Sequence, residues 1–191
     1  MAGVVDPGRD GVHYGRSLAW RTSAQVLHAR AGAAPDQVGT PSLWLRVRPP
    51  VLALALTIAA LALHALVLGS AVTWAQSMVL GSALALVGFG WMAWAHATLR
   101  RAGTPVKVVA VTPRVLVDEG PYRFGRNPIY LGMVVTMLGI GVAVGVPLMA
   151  VAAANFVAII ASVHIPHEEA SMKRTFGGWY SDYAASVRRW F

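Results

Sequence analysis

The chain of 191 residues contains no cysteine and few charged residues. Without cysteine it can have no disulfide framework, thiolate zinc site, iron–sulfur cluster or cysteine nucleophile. Charged side chains make up 13% of the sequence, whereas a typical soluble domain has about 25%. Hydrophobic residues make up 56%. This composition argues against an ordinary water-soluble globule.

Two long stretches, residues 49–99 and 127–167, contain no Lys, Arg, Asp or Glu. A helix needs about 20 apolar residues to cross a hydrocarbon core of about 30 Å, so each stretch has room for two spans. The first two spans are expected to form an antiparallel hairpin, and a break near 145–147 divides the other two. The predicted spans are residues 49–69, 76–99, 129–145 and 147–165.

The sequence therefore predicts an all-α fold, a polytopic transmembrane bundle of about four spans in two hairpins. Residues 1–48 are expected to be a cytoplasmic or interfacial segment that precedes a membrane domain over residues 49–191. Within that domain, residues 100–128 form a cap and residues 166–191 a C-terminal interfacial helix.

The 16 basic residues give a net charge of +8, and all of them lie in residues 1–48, 100–126 and 166–191. Because cytoplasmic connections carry the excess of Lys and Arg, both termini are predicted to be cytoplasmic. Basic residues confined to one membrane surface favour contact with membrane lipids and argue against a nucleic-acid partner. The high usage of Ala, Arg and Val is typical of a GC-rich bacterial genome, which predicts a bacterial inner membrane. Small residues in the spans permit a homodimer.

Chemistry is expected in the two segments that follow the second and fourth spans, residues 104–133 and 162–191. The first is longer than connections without a function usually are. Glu168 and Glu169 lie just beyond the fourth span, where charges usually pair or line a polar cavity. Arg123 and Arg126 are their expected partners, because the third span begins on the face where the fourth ends.

The motifs in these segments resemble those of integral-membrane methyltransferases, the isoprenylcysteine carboxyl methyltransferase and phospholipid N-methyltransferase families. The first motif is GPYRFGRNPIYLG, residues 120–132. The second motif lies beyond a charge-free helical hairpin and consists of Glu168-Glu169, Phe176-Gly177, Tyr180, Tyr183 and Val187-Arg188-Arg189. The order and spacing match the family pattern over about 85 residues.

Two positions depart from that pattern. Asn127 stands where the isoprenylcysteine branch usually has His, and an amide cannot accept a proton there. His167 stands where Arg is frequent, so one cationic contact would depend on pH.

The resemblance implies S-adenosylmethionine as methyl donor and a lipophilic acceptor, either an isoprenylcysteine-like carboxylate or a lipid head group. It assigns polar contacts with the methyl donor to Arg126 and Asn127, and the adenosyl or sulfonium region to Tyr130. Contacts with the amino or ribose groups are assigned to Glu168 or Glu169. The catalytic candidates are Arg126, Asn127, Tyr130 and Glu168. Arg123 and Arg188 are candidates for holding an anionic acceptor. The full set of expected donor-site residues is Gly120, Pro121, Tyr122, Arg126, Asn127, Tyr130, Leu131, His167, Glu168 and Glu169.

Other interpretations remain open at this point. Tyr180 and Tyr183 are typical of interface anchors, with a pocket role as the alternative. His164, His167 and Glu168 share a helix face as metal ligands would, but Pro166 is expected to interrupt that helix, and no metal is predicted. An NADPH-dependent enzyme similar to sterol reductases, or a small transporter or scaffold, would also have apolar spans. The nucleophilic atom of the acceptor is not defined by the sequence.

Overall fold

The fold is described from a computed structural model, which covers residue 45 and residues 47–68, 78–103 and 116–190. Most of the expected N-terminal segment, the connection between the first two spans and part of the expected cap lie outside the described residues. The described helices are α1 (Pro49–Val67), α2 (Met78–Arg101), a 3-10 turn (Gly120–Arg123), α3 (Pro128–Val144), α4 (Leu148–Phe176) and α5 (Gly178–Ser186). The described part of the chain contains no strand, so the predicted all-α class is confirmed.

Helices α1, α2 and α4 are long and apolar enough to cross a membrane. Helix α3 has 17 residues, which gives a length of about 26 Å and places it at the lower limit for a span. It begins at Pro128 and ends at Val144, and the following Gly145, with φ 74°, caps the helix in the left-handed conformation. Pro147 then starts the turn into α4.

Helices α2 and α3 pack along an antiparallel seam of small residues, which we call the α2–α3 seam. A Cβ at Gly88 would lie 2.6 Å from the backbone N of Thr136, and a Cβ at Gly139 would lie 2.3 Å from the backbone N of Ala85. Without a hydrophobic force between helices in lipid, such close backbone approach provides the packing contacts that hold them together. This seam fixes the end of α2 beside the start of α3.

Helix α1 packs mainly against α4 and has no extensive contact with α2 in the described ranges. The expected pairing of the first two spans is therefore not the observed packing. Small residues along α2 match those of α3, whereas α1 buries Ala53 and Ala60 in the cluster that includes Phe156 of α4. The imidazole Nε2 of His164 lies 3.1 Å from the carbonyl O of Val47, which ties α4 to the residues before α1.

Helix α4 continues through Pro166, where the sequence predicted a break and a separate C-terminal helix. A π-helical turn, Ile160–His164, precedes the proline. Pro166 therefore occupies the first turn of the following α-helical segment, where its missing N–H is tolerated. The helix ends at Gly177, which has φ +55°. The observed continuation carries Glu168 and Glu169 on the same rigid rod as the membrane-embedded residues.

The described charged residues all lie at one end of the bundle, at the start of α1 and α3, the end of α2 and α4, and the segments beside them. The remaining length of α1 and α2 presents apolar side chains to the surroundings, as expected for contact with lipid. Exposed examples are Leu54, Ile58, Leu66, Leu80, Leu86 and Phe89. The chain is thus an integral-membrane helical bundle with a polar end.

Candidate active site

A cleft opens at the polar end of the bundle, between the end of α2, the start of α3 and the last turns of α4. Its cavity volume is about 70 Å³ and it is open to the surroundings, so it is smaller than typical small-molecule sites of about 300–1,000 Å³. Its lining residues are Leu99, Leu116, Val117, Tyr122, Arg126, Asn127, Glu168, Glu169, Met172, Tyr180 and Tyr183. Polar and charged side chains therefore share one cavity with an apolar wall.

The GPYR turn, residues 120–123, positions one side of the cleft. Gly120 has φ +59°, and a Cβ there would lie 2.9 Å from Thr98 Oγ1 of α2, so glycine suits both the conformation and the space. Pro121 is among the most deeply buried residues. The turn is thus anchored against the end of α2, and Tyr122 projects into the cleft lining.

Glu168 and Glu169 are adjacent in α4 and point to different partners. The hydroxyl of Tyr130 donates a hydrogen bond to Glu168 Oε1. Glu169 receives two hydrogen bonds from Arg189, Nη2 to Oε2 at 2.8 Å and Nε to Oε1 at 3.1 Å. The two carboxylates therefore link α4 to α3 on one side and to the end of the chain on the other.

Arg126 faces the cleft with part of its hydrogen-bonding capacity unused. Its Nη2 lies 3.3 Å from Glu169 Oε1, and its side chain is 15% exposed. Its Nε is buried and has no hydrogen-bond partner among the described residues. Buried donors without a partner are uncommon in folded proteins, and strain, a catalytic role, a solvent molecule or an ion accounts for those that occur.

The last described residues close over the loop 124–127; we call residues 187–190 the C-terminal strap. The backbone N–H of Arg126 donates to the carbonyl of Arg188 at 3.0 Å. The amide Nδ2 of Asn127 donates to the carbonyl of Arg189, also at 3.0 Å. A Cβ at Gly125 would lie 2.1 Å from the carbonyl O of Trp190, so the strap contacts the loop at three consecutive positions.

Three tyrosines complete the wall of the cleft. The hydroxyl of Tyr183 donates to the carbonyl of Tyr122 at 2.8 Å, and the rings of Tyr180 and Tyr183 lie 6.2 Å apart. Burial raises the pKa of Tyr122 and of Tyr183 above the usual tyrosine range. Both phenols therefore stay neutral at physiological pH.

The model of the phospholipid methyltransferase family matches residues 76–178, more than half of the chain. The chain belongs to the phospholipid methyltransferase family. The matched residues contain the GPYR turn, the loop 124–127 and both glutamates.

Two plant proteins from Arabidopsis thaliana are similar to part of the chain. One is protein-S-isoprenylcysteine O-methyltransferase B, 38% identical over 72 residues, and the other is protein-S-isoprenylcysteine O-methyltransferase A, 39% identical over 72 residues. Each alignment covers 38% of this chain and 36% of the relative, so it spans about a third of the curated relatives' length. No solved structure matches the chain significantly.

This member of the phospholipid methyltransferase family brings together many of the residues expected from sequence. Tyr122, Arg126, Asn127, Glu168 and Glu169 line the cleft. The others stand behind the wall or face away from it. Tyr130 is buried and is linked to the cleft by its hydrogen bond to Glu168. Gly120 and Pro121 shape the GPYR turn. Leu131 and His167 lie outside the lining, and Arg123 and Arg188 are exposed.

Several contributing residues were not expected from the sequence. Arg189, rather than Arg123, joins Arg126 in pairing with Glu169. Met172 also lines the cleft, and helical spacing from Glu168 was a signal for it, because residues four apart share a helix face. The pocket alternative for Tyr180 and Tyr183 agrees with their position in the lining. Leu99 and Val117 had no comparable signal.

Proposed function

We propose that this chain is a membrane methyltransferase that uses S-adenosylmethionine and methylates a lipophilic acceptor. The supporting observation is that one cleft, at the polar end of an apolar bundle, joins Arg126 and Asn127 to Glu168 and Glu169. Membership of the phospholipid methyltransferase family and the similarity to isoprenylcysteine O-methyltransferases support the same reaction class.

The polar and apolar groups that line the cleft fit S-adenosylmethionine. That molecule has a carboxylate, an ammonium group, ribose hydroxyls, an adenine ring and a positively charged sulfonium. Arg126 lines the cleft with a side chain that is 15% exposed, and its guanidinium can bind the carboxylate; the glutamates offer acceptors for the ammonium or hydroxyl groups. Leu99, Val117 and Met172 line the cleft as an apolar surface for adenine.

In this proposal each residue binds or orients, and with a carboxylate acceptor none of them has to exchange a proton. The bound donor supplies an activated methyl group. Tyr130 fixes Glu168 through its hydroxyl, and tyrosine rings near a sulfonium add cation–π attraction. The strap holds Nδ2 of Asn127, and the side-chain Oδ1 is left to accept a hydrogen bond from the methyl donor. Positioning and exclusion of water provide most of the acceleration, because the neutral thioether released from a sulfonium is already a good leaving group.

The acceptor is proposed to reach the cleft from the lipid. The apolar outer faces of α1 and α2 lie in hydrocarbon, so an apolar tail can remain in the membrane while its reactive head reaches the polar end. Arg123 and Arg188 are exposed at that end and are proposed to attract an anionic head group. With both termini in the cytoplasm, as the basic residues suggest, the cleft faces the inner leaflet of a bacterial membrane.

A transport function is less well supported by the described spans. Their mid-membrane polar side chains donate to the carbonyl four residues earlier in the same helix, as do Thr57, Thr136 and Asn155. Such groups do not present a continuous polar path.

Methyl transfer is tested by incubating the purified full-length protein with methyl-labelled S-adenosylmethionine and a total lipid extract, followed by mass analysis. We expect label in a lipid product and loss of transfer in Arg126→Ala. Arg174→Ala is the matched control, because Arg174 is exposed at the end of α4 and outside the cleft lining. Binding of NADPH in place of S-adenosylmethionine would instead favour a reductase, and binding of neither would contradict an enzymatic function of this cleft.

A further inference from the structure

Arg189 belongs to the second motif, but the resemblance assigned it no role. Its guanidinium binds both oxygens of Glu169, at 2.8 Å and 3.1 Å. Two parallel charge-assisted hydrogen bonds fix a carboxylate in orientation as well as in charge. Glu169 is therefore already held in a two-bond pair before any ligand enters the cleft.

The grip of Arg189 on Glu169 has a consequence for Arg126. The single contact between Arg126 and Glu169 is 3.3 Å long, whereas charge-assisted N–H···O bonds are typically about 2.7–2.9 Å. Arg126 also keeps a buried Nε without a described partner. If Glu169 were not held by Arg189, it would be free to form its own two-bond pair with Arg126 and to occupy the groups that face the cleft.

The backbone of Arg189 acts on the same site from another direction. Its carbonyl accepts the Nδ2 proton of Asn127, while the neighbouring carbonyl of Arg188 accepts the Arg126 N–H. The C-terminal strap lies beyond residue 178, where the family match ends. A single residue outside the matched region thus contacts both halves of the cleft.

We propose that Arg189 is a positioning residue of the methyl-donor site. Its side chain holds Glu169 in a two-bond pair, which leaves the Arg126 guanidinium available to the donor's carboxylate, and its backbone carbonyl holds the amide of Asn127 in place. This inference rests on the proposed function, because it takes S-adenosylmethionine as the methyl donor whose carboxylate Arg126 binds.

The first test is calorimetric titration of S-adenosylmethionine into the full-length protein in detergent. We expect Arg189→Ala to weaken donor affinity about three- to fivefold, the upper end for a lost pair of this exposure. Arg189→Lys keeps the charge but not the two-bond geometry and is expected to fall between wild type and Arg189→Ala. Arg174→Ala is expected to bind the donor as wild type does.

A double variant separates this role from a general loss of structure. If Arg189 acts through Glu169, the effect of Arg189→Ala should fall below about twofold in a Glu169→Gln background. A merely structural residue would weaken donor binding by the same factor in both backgrounds. Equal factors, or unchanged affinity in Arg189→Ala, would overturn the proposal.

Hydrogen exchange in the donor-free protein provides a second measurement. The Arg126 amide bonds to the strap, so Arg189→Ala is expected to speed its exchange at least fivefold, and Arg174→Ala is not. If the wild-type protein bound no S-adenosylmethionine, the proposed function would fail, and this exchange rate alone would decide whether Arg189 positions the loop. An unchanged rate would show that it does not.

Discussion

The side-chain amide of Asn127 donates a hydrogen bond, 3.0 Å long, to the backbone carbonyl of Arg189, which is 62 residues away in the chain. The contact closes the C-terminal strap over the start of α3. It also offers a physical reason for an amide at the position where the resemblance to the isoprenylcysteine branch predicts His. Both side chains can present an N–H to a carbonyl, so we expect a hydrogen-bond donor to be the property that matters at this position.

Substitutions of Asn127 test this requirement. Asn127→His keeps a donor and is expected to retain the strap, whereas Asn127→Leu leaves the Arg189 carbonyl without its partner. Loss of a buried hydrogen bond in this way costs about 1–3 kcal/mol. Thermal unfolding in detergent measures the difference. If Leu were tolerated as well as His, the contact would have no stabilising role.

Glu168 and Tyr130 are expected to respond differently to substitution. Glu168→Gln removes the charge but can still accept the Tyr130 hydrogen bond, so it should lower donor affinity at least tenfold and leave the fold intact. Tyr130→Phe leaves the buried Glu168 carboxylate without its hydrogen-bond donor, so it should lower the unfolding temperature as well as the affinity for the methyl donor. Calorimetry and thermal unfolding distinguish the two effects.

The matched control for Glu168→Gln is Glu119→Gln, because Glu119 is exposed and outside the cleft lining. Glu119→Gln is expected to bind S-adenosylmethionine as wild type does. Wild-type affinity in Glu168→Gln would remove the carboxylate from the proposed donor site.

The α2–α3 seam gives a prediction about stability alone. A Cβ at Gly88 would lie 2.6 Å from the backbone N of Thr136, whereas a Cβ at Gly90 meets nothing within 4 Å. Gly88→Ala should therefore destabilise the bundle by about 1–3 kcal/mol, since the two backbones must separate. Gly90→Ala should be neutral or stabilise α2 by up to about 1 kcal/mol, because alanine favours a helix. Equal unfolding temperatures for the two variants would contradict the close packing.

The apolar spans and the two motifs were predictable because each depends on local pattern. Charge-free lengths indicate helices in lipid, and the GPYR turn and the glutamate pair can be read directly from the chain. Which helices pack against each other was harder to predict, because the packing of α1 against α4 depends on which faces carry small residues. The continuation of α4 through Pro166 depends on the π-helical turn before it. Arg189 could not be chosen over Arg123 or Arg188, because that choice depends on how the chain end folds back.

The buried tyrosines predict how stability varies with pH. The raised pKa of Tyr122 and Tyr183 means that, above about pH 10, the unfolded chain loses phenolic protons that the folded protein keeps. Stability is therefore full below pH 10 and falls as the pH rises further, by about 1.4 kcal/mol per pH unit for each tyrosine. Chemical unfolding at pH 9 and pH 11 should show this fall. It should be smaller in Tyr183→Phe, and an equal fall in that variant would contradict the assignment.

The most direct measurement is to irradiate the purified protein with methyl-labelled S-adenosylmethionine and to map the crosslinked peptides by mass spectrometry. The proposed site predicts label in peptides that contain residues 116–130 or 168–183, with little label in Arg126→Ala and full label in Arg174→Ala. Label confined to other peptides, or undiminished in Arg126→Ala, would contradict donor binding in this cleft.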